Sequence, residues 1–272
     1  MNHPRFNIIL NPKNISIKDR GFNYGDGLFE TILVKNSKIL YLKQHIKRLH
    51  QGCEVLSLKK PSSKIINDAI KKILRNKKDC IIKIILTRGD SNFGYNIPKN
   101  IKHNLYFIRK EKNKPIDKDK SIRLKISEYI TYQNSCLAKI KHLNRIDQCL
   151  IAEELNDKNN INDLVVLNEN IIVETLSSNI FFVKKNKSSY VFHTPRVDRF
   201  GVKGILRDEI ISYLKEHNFT IREKVISPSD LKKYDLSFKV NSIQGLTFID
   251  EIENNKFSRD QILYNILKKF IY

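Results

Sequence analysis

Two lysines, Lys139 and Lys141, stand in the stretch CLAKIKHLNRIDQCLIAEEL, just ahead of residues that read as a helix. A lysine amine becomes a nucleophile or proton acceptor when desolvation makes its neutral form accessible. Ile140 and Leu143 flank Lys141 and supply apolar surroundings of that kind. Lys139 lies two positions away, on the same face if the segment is extended, so spacing leaves both lysines open. The nine glycines cluster: Gly21, Gly25 and Gly27 fall in RGFNYGDGLFET, and Gly201 and Gly204 in RFGVKGILRDEI. Glycine permits positive φ and close approach of a ligand or another backbone. The second pair leads straight into a helix, whose free N–H groups form a natural phosphate site. Cys53, Cys80, Cys136 and Cys149 are far apart with no C-x-x-C pair, so neither a zinc site nor a redox dithiol is expected. We read all four as reduced, with Cys80 and Cys149 in the core.

These residues need elements to position them. FNIIL and LFETILV have strand character, and KNSK turns the second into KILYL as a hairpin. KQHIKRLHQGCEVL sets Ile46, Leu49, Cys53 and Leu56 at helical spacing, and SSKIINDAIKKILRN does the same for Ile65, Ile66, Ile70 and Ile73. DCIIKIILTRG and NLYFIRK read as short apolar strands. The second half opens on RLKISEYI, then the lysine segment and its helix. DLVVL, IIVET, NIFFV and YVFHT follow as strands. A helix from about Ile205 to His217 turns Ile205, Leu206, Ile210 and Leu214 inward. TIREKVI, LSFKV and LTFIDEI are further strands, and a last helix begins at Ser258. The polar run EKNKPIDKDK is the linker candidate. It gives an N-terminal α/β domain at 1–112, a linker at 113–121 and a strand-rich domain at 122–272.

The formal net charge of +21 is spread over nearly the whole length rather than gathered into a stripe interleaved with aromatics. We read it as compositional bias, with a nucleic-acid-binding protein as the remote alternative and no nucleic acid expected as a partner. A basic surface still attracts anionic small molecules. No apolar run approaches the roughly 20 residues that span a bilayer, and the start has no signal-like pattern, so a cytoplasmic address is expected.

The order of the pieces carries more than any one of them. RGFNYGDGLFET is followed by LKQHIKRL, IKHLNR, VETLSSNIFFV, GVKGILRDEI and NSIQGLTFI. This series resembles the fold-type IV enzymes that use pyridoxal 5'-phosphate (PLP), over about residues 5 to 265. Within that superfamily, KHLNR and RGFNYGDGLFET look most like the aminodeoxychorismate lyases. The resemblance implies a two-domain α+β/α/β fold of the D-amino-acid aminotransferase type, with a smaller N-terminal α/β domain and a larger C-terminal pseudo-barrel domain. It also implies a homodimer and a small anionic substrate. By the same resemblance Lys141 carries PLP, Glu174 meets the pyridine nitrogen and Arg48 contacts the phosphate. Gly204, Ile205 and Leu206 supply backbone N–H groups to that phosphate, as do Ser242 and Ile243. Many relatives have threonine where Leu206 stands. Thr31, Arg88 and Arg145 are the candidates for the substrate, because Phe93 occupies a position where some lyases carry arginine. The expected reaction converts 4-amino-4-deoxychorismate to 4-aminobenzoate and pyruvate; the alternative is an aminotransferase of the same fold acting on branched-chain or D-amino acids.

Overall fold

The computed structural model describes residues 5–75, 77–92, 94–111, 122–131, 136–156, 160–186 and 189–272. Its contacts divide the chain into two compact units, Met1–Lys114 with Ile140–Asn144, and Pro115–Lys139 with Arg145–Tyr272. Lys141 therefore belongs to the first unit, apart from the residues on either side of its short segment. The expected linker 113–121 and Phe93 lie outside the described residues.

In the first unit, β1 (Phe6–Leu10), β2 (Gly27–Lys35), β3 (Lys38–Ile39), β4 (Cys80–Thr87) and β5 (His103–Lys110) form one sheet in the order β1-β5-β4-β2-β3. Only β1 and β5 run parallel; the other pairs are antiparallel. β3 is shorter than KILYL led us to expect. Tyr41 takes a left-handed φ of 53° and Leu42 starts the helix α2 (Leu42–Val55), which ends the extended run. The next helix, α3 (Ser63–Leu74), starts where the Ser62 side chain accepts from the Ile65 amide at 3.3 Å. It buries Ile66, Ala69, Ile70 and Ile73. Each isoleucine so buried contributes roughly 1.5–3 kcal/mol.

A one-turn helix, α1 (Arg20–Tyr24), was not legible from the sequence, because its five residues include Gly21 and carry no periodicity. Its start is fixed by the buried Asp19. One carboxylate oxygen accepts from the Gly21 amide at 2.7 Å; the other accepts from Thr87, Asn104 and Tyr106.

The second unit contains two sheets. The first joins β6 (Arg123–Thr131), β7 (Asp163–Asn168), β8 (Ile171–Thr175), β14 (Glu251–Ile252) and β15 (Asn255–Lys256) in the order β15-β14-β6-β7-β8. The second joins β9 (Asn179–Asn186), β10 (Ser189–Pro195), β11 (Thr220–Lys224), β12 (Leu236–Asn241) and β13 (Gly245–Ile249) in the order β11-β10-β9-β12-β13. A shared core of Leu124, Val165, Ile172, Ile180, Phe182 and Ile249, among others, fills the space between them. The helix after the lysine segment, Ile146–Glu153, packs Ile151 against Leu164 and Val166. That single inward residue leaves Cys149 exposed, against its expected place in the core; Cys80 is buried as expected. The helix at Ile205–Glu216 buries Ile205, Leu206, Ile210 and Leu214 as its spacing predicts. The last helix begins at Gln261 rather than Ser258, because Asp260 caps it by accepting from the Ile262 and Leu263 amides.

Candidate active site

In the first unit, the lysine segment is stitched to the end of β2. The Phe29 amide donates to the Lys141 carbonyl at 2.9 Å, and the Leu143 amide donates to the Gly27 carbonyl at 3.0 Å. The glycines of GDG follow from this closeness. A Cβ on Gly27 would stand 2.4 Å from the Leu86 carbonyl oxygen and 2.8 Å from Leu143 Cδ1. One on Gly25, at φ 63°, would stand 2.3 Å from Asn144 Oδ1.

Alternation along β2 then separates two sets of side chains. Phe29 and Thr31 lie half-buried on one phase, with Leu28, Glu30 and Ile32 buried on the other. Lys141, itself half-buried, holds Nζ 4.4 Å from the Phe29 ring centroid. Lys83, the β4 partner of Thr31, brings its Nζ to 5.2 Å from the same ring. Burial pushes the Lys83 amine below its ordinary value, and Lys110 adds to the shift. Lys83 had no place in the sequence reading; its half-buried position opposite Thr31 on an apolar strand is the signal that marks it.

Arg48 does not stand alone on its helix. Its Nε donates to Glu30 Oε1 at 2.8 Å and its Nη2 to Glu30 Oε2 at 2.6 Å. His45 places Nδ1 2.6 Å from Glu30 Oε2. Burial alone would raise the Glu30 carboxyl, but Arg48 and then His45 outweigh it and hold it down at about 2. His45 is pushed below its ordinary value, chiefly by burial. Arg88, a substrate candidate, is turned inward instead. Nε donates to Asp26, which also accepts from Arg20, while Nη1 and Nη2 donate to the carbonyls of Ser57 and Leu56. At 7% exposed it holds the α2 exit against GDG.

In the second unit, Glu174 sits buried near the end of β8. Its Oε2 accepts from the Val202 amide at 3.1 Å and from Asn179 Nδ2 at 3.4 Å. Asn179 also donates to the Val202 carbonyl at 2.9 Å. The loop 201–204 is thereby folded around the carboxylate, and its glycines are required. Gly201 has φ 87°, and a Cβ there would stand 3.3 Å from Glu174 Oε2; one on Gly204 would stand 1.9 Å from Asn179 Oδ1. Lys139 serves this loop through its backbone. It is exposed, at φ 73°, and pairs with Gly201 and Lys203 through N–H···O bonds of 2.9 and 3.2 Å.

Gly204 is the N-cap of the following helix and has no side chain to occupy the first-turn amides. The N–H groups of Ile205 and Leu206 therefore point out of the helix start without an intrahelical acceptor. The buried Arg207 fixes that start by donating to the Pro195 carbonyl and to Glu223. Ser242 and Ile243 form the turn between β12 and β13, where the Ile243 amide donates to Asn241 Oδ1 at 3.0 Å. That amide is engaged by its own turn. Arg145 is half-buried just ahead of Ile146, where it stands at the N-cap without a side-chain capping bond to that helix.

These donor sets suit PLP. A half-buried amine beside an aromatic ring, a buried carboxylate fixed by a loop, and a helix start left open by glycine match an aldehyde, a pyridine nitrogen and a phosphate in turn. Each of these groups is of a kind that a PLP enzyme needs. The comparisons agree: residues 27–252 match the model of the amino-transferase class IV family, and the chain belongs to that family. Its members depend on PLP.

Among relatives, the chain is 28% identical to the aminodeoxychorismate lyase of Vibrio harveyi, over 88% of each chain. It is 21% identical to the D-alanine aminotransferase of Bacillus licheniformis, over 86% of this chain and 84% of that one. Among solved structures, the 4-amino-4-deoxychorismate lyase of Pseudomonas aeruginosa superposes with a TM-score of 0.85 at 24% identity. That match covers 95% of this chain and 94% of the other, and it shows the shared fold. No described helix is long and apolar enough to cross a membrane.

Proposed function

We propose that this chain is a PLP-dependent lyase that converts 4-amino-4-deoxychorismate to 4-aminobenzoate and pyruvate. The observation that carries the reading is the pairing of its two most lyase-like segments. KHLNR and RGFNYGDGLFET are bonded through Phe29 to Lys141 and through Leu143 to Gly27, with Gly25 and Gly27 reduced to hydrogen at the contact. The Vibrio harveyi relative supports the same choice.

When bound, PLP supplies an electron sink for the charge that develops on the carbon beside the substrate nitrogen. Lys141 is the amine that carries the cofactor. Its Nζ would also serve as the base for the proton on that carbon. Glu174 keeps a fixed negative charge for the pyridine nitrogen, and the Val202 amide and Asn179 hold the carboxylate in place. Gly204, Ile205 and Leu206, with Arg48, hold the phosphate; Ser242 and Ile243 complete that set in the same reading. Thr31, Arg88 and Arg145 are the candidates to meet the substrate, with Lys83 beside them. Lys83 adds a cation beside the Phe29 ring that Lys141 also meets. Loss of the enolpyruvyl group leaves an aromatic ring, which favours release without an amino acceptor.

A homodimer in the cytoplasm belongs to the same reading. Ile15, Ile17, Phe22, Tyr24, Tyr95 and Ile97 are exposed on the first unit and support self-association.

A two-arm assay tests the activity. The first arm offers 4-amino-4-deoxychorismate alone, and the second offers branched-chain or D-amino acids with 2-oxoglutarate. Release of pyruvate and 4-aminobenzoate in the first arm is expected. Transamination in the second with no pyruvate in the first would move the protein to the aminotransferases.

A further inference from the structure

Glu30 stands on the phase of β2 occupied by Leu28 and Ile32, where an unpaired carboxylate would be costly to bury. It is 1% exposed, and its two oxygens take three contacts: Nε and Nη2 of Arg48, and Nδ1 of His45. The first two form a side-on fork, which fixes the guanidinium plane and not just its distance. His45 is also 1% exposed. Since its Nδ1 faces a carboxylate, that nitrogen carries the proton, and the buried Nε2 has no hydrogen-bond partner among the described residues. With Glu30 ionised and His45 neutral, the three side chains sum to zero charge. Arg48 then offers a phosphate directed N–H groups more than net charge, and direction is what Glu30 imposes.

We infer that Glu30 is a positioning residue: with His45 as the third member of the cluster, it sets the orientation in which Arg48 meets the phosphate of the cofactor. The inference rests on the PLP reading given above. It assigns a task to two residues: Glu30, which holds Arg48, and His45, which meets Glu30. It also explains a charged residue at the centre of an otherwise apolar strand face. A lone arginine on the α2 surface would lose orientation at each rotamer change; one gripped along its Nε edge does not.

The test compares PLP with pyridoxal, which has the same aldehyde and ring but no phosphate. Apoprotein of the parent, Glu30→Gln, Arg48→Ala and the double variant is titrated with each probe, and thermal unfolding is followed alongside. The parent should prefer PLP. Arg48→Ala should weaken PLP binding by about tenfold to a hundredfold, as expected for a charge-assisted contact. Glu30→Gln should lose a similar part of the preference while binding pyridoxal as the parent does, and the double variant should lose little more than Arg48→Ala. Glu30→Asp keeps the charge balance but is one methylene too short to hold the fork and His45 together; it should show the same selective loss and serves if Glu30→Gln does not fold. A Glu30 variant that folds and retains the parent's preference for PLP would overturn the inference, as would losses from Glu30→Gln and Arg48→Ala that multiply independently. A parent protein with no preference for PLP over pyridoxal would overturn the phosphate reading beneath it as well.

Discussion

Lys141 and Phe29 are joined twice, by the Phe29 amide donating to the Lys141 carbonyl at 2.9 Å and by the Lys141 Nζ standing 4.4 Å from the Phe29 ring centroid. The main-chain bond fixes where the lysine starts, and the ring fixes where its amine ends. Since Phe29 lies in a β-strand paired along its length with β4, the amine is carried by a rigid element.

This stitching depends on hydrogen at Gly27. A methyl group there meets the Leu86 carbonyl at 2.4 Å, and backbone does not yield as a flexible side chain does. Gly27→Ala should therefore destabilise the fold by about 1–3 kcal/mol. It should also lower turnover although Lys141 is still present. Urea titration and a turnover assay read the two effects; parent-like values in both would mean that the segment is not held in this way.

Glu174 and the phosphate cradle separate by mutation. Glu174→Gln leaves the 204–206 amides untouched, so PLP should still bind, with turnover reduced on the order of a hundredfold for loss of a fixed charge. Gly204→Ala should do the reverse. Its methyl would displace Asn179, whose Nδ2 holds both Glu174 and the Val202 carbonyl, and PLP binding itself should fail. Absorbance of bound PLP distinguishes the two variants, and full cofactor binding by Gly204→Ala would count against the cradle.

Acid should weaken the second unit through His193. Burial, then Lys224, Arg222 and Lys184, push this histidine down to about 4 from 6.5. It is folded in its neutral form, so its contribution is complete above pH 6.5 and is lost as pH falls from 6.5 through 4. Thermal melts at pH 7, 5.5 and 4.5 should show a falling midpoint, and His193→Phe should flatten that fall. An unchanged slope in the variant would remove His193 from the account.

The element pattern was largely legible from apolar spacing, as the helix at Ile205–Glu216 and the strand at Gly27–Lys35 show. What spacing did not carry was the choice between Lys139 and Lys141, which came from the HLNR motif. The structure supplies a physical difference, since Lys139 is exposed with its backbone bonded to the 201–203 loop while Lys141 is half-buried against Phe29. Arg88 read as a substrate candidate with no partner in view, because Asp26, to which it donates, lies 62 positions away. Cys149 read as core, yet Ile151 is the residue that its helix turns inward. Glu30 was passed over inside a strand motif, though a carboxylate on the apolar phase of β2 was the available sign that something inside must answer it.

The account turns on Lys141, and borohydride reduction of the PLP-loaded protein tests it most directly. Reduction fixes the cofactor to the lysine that holds it, and peptide mapping then names the residue. The label should fall on Lys141; Lys141→Ala should show none and no turnover, while Lys139→Ala should be labelled at Lys141 and remain largely active. Label on Lys139, or on any lysine other than Lys141, would contradict the account.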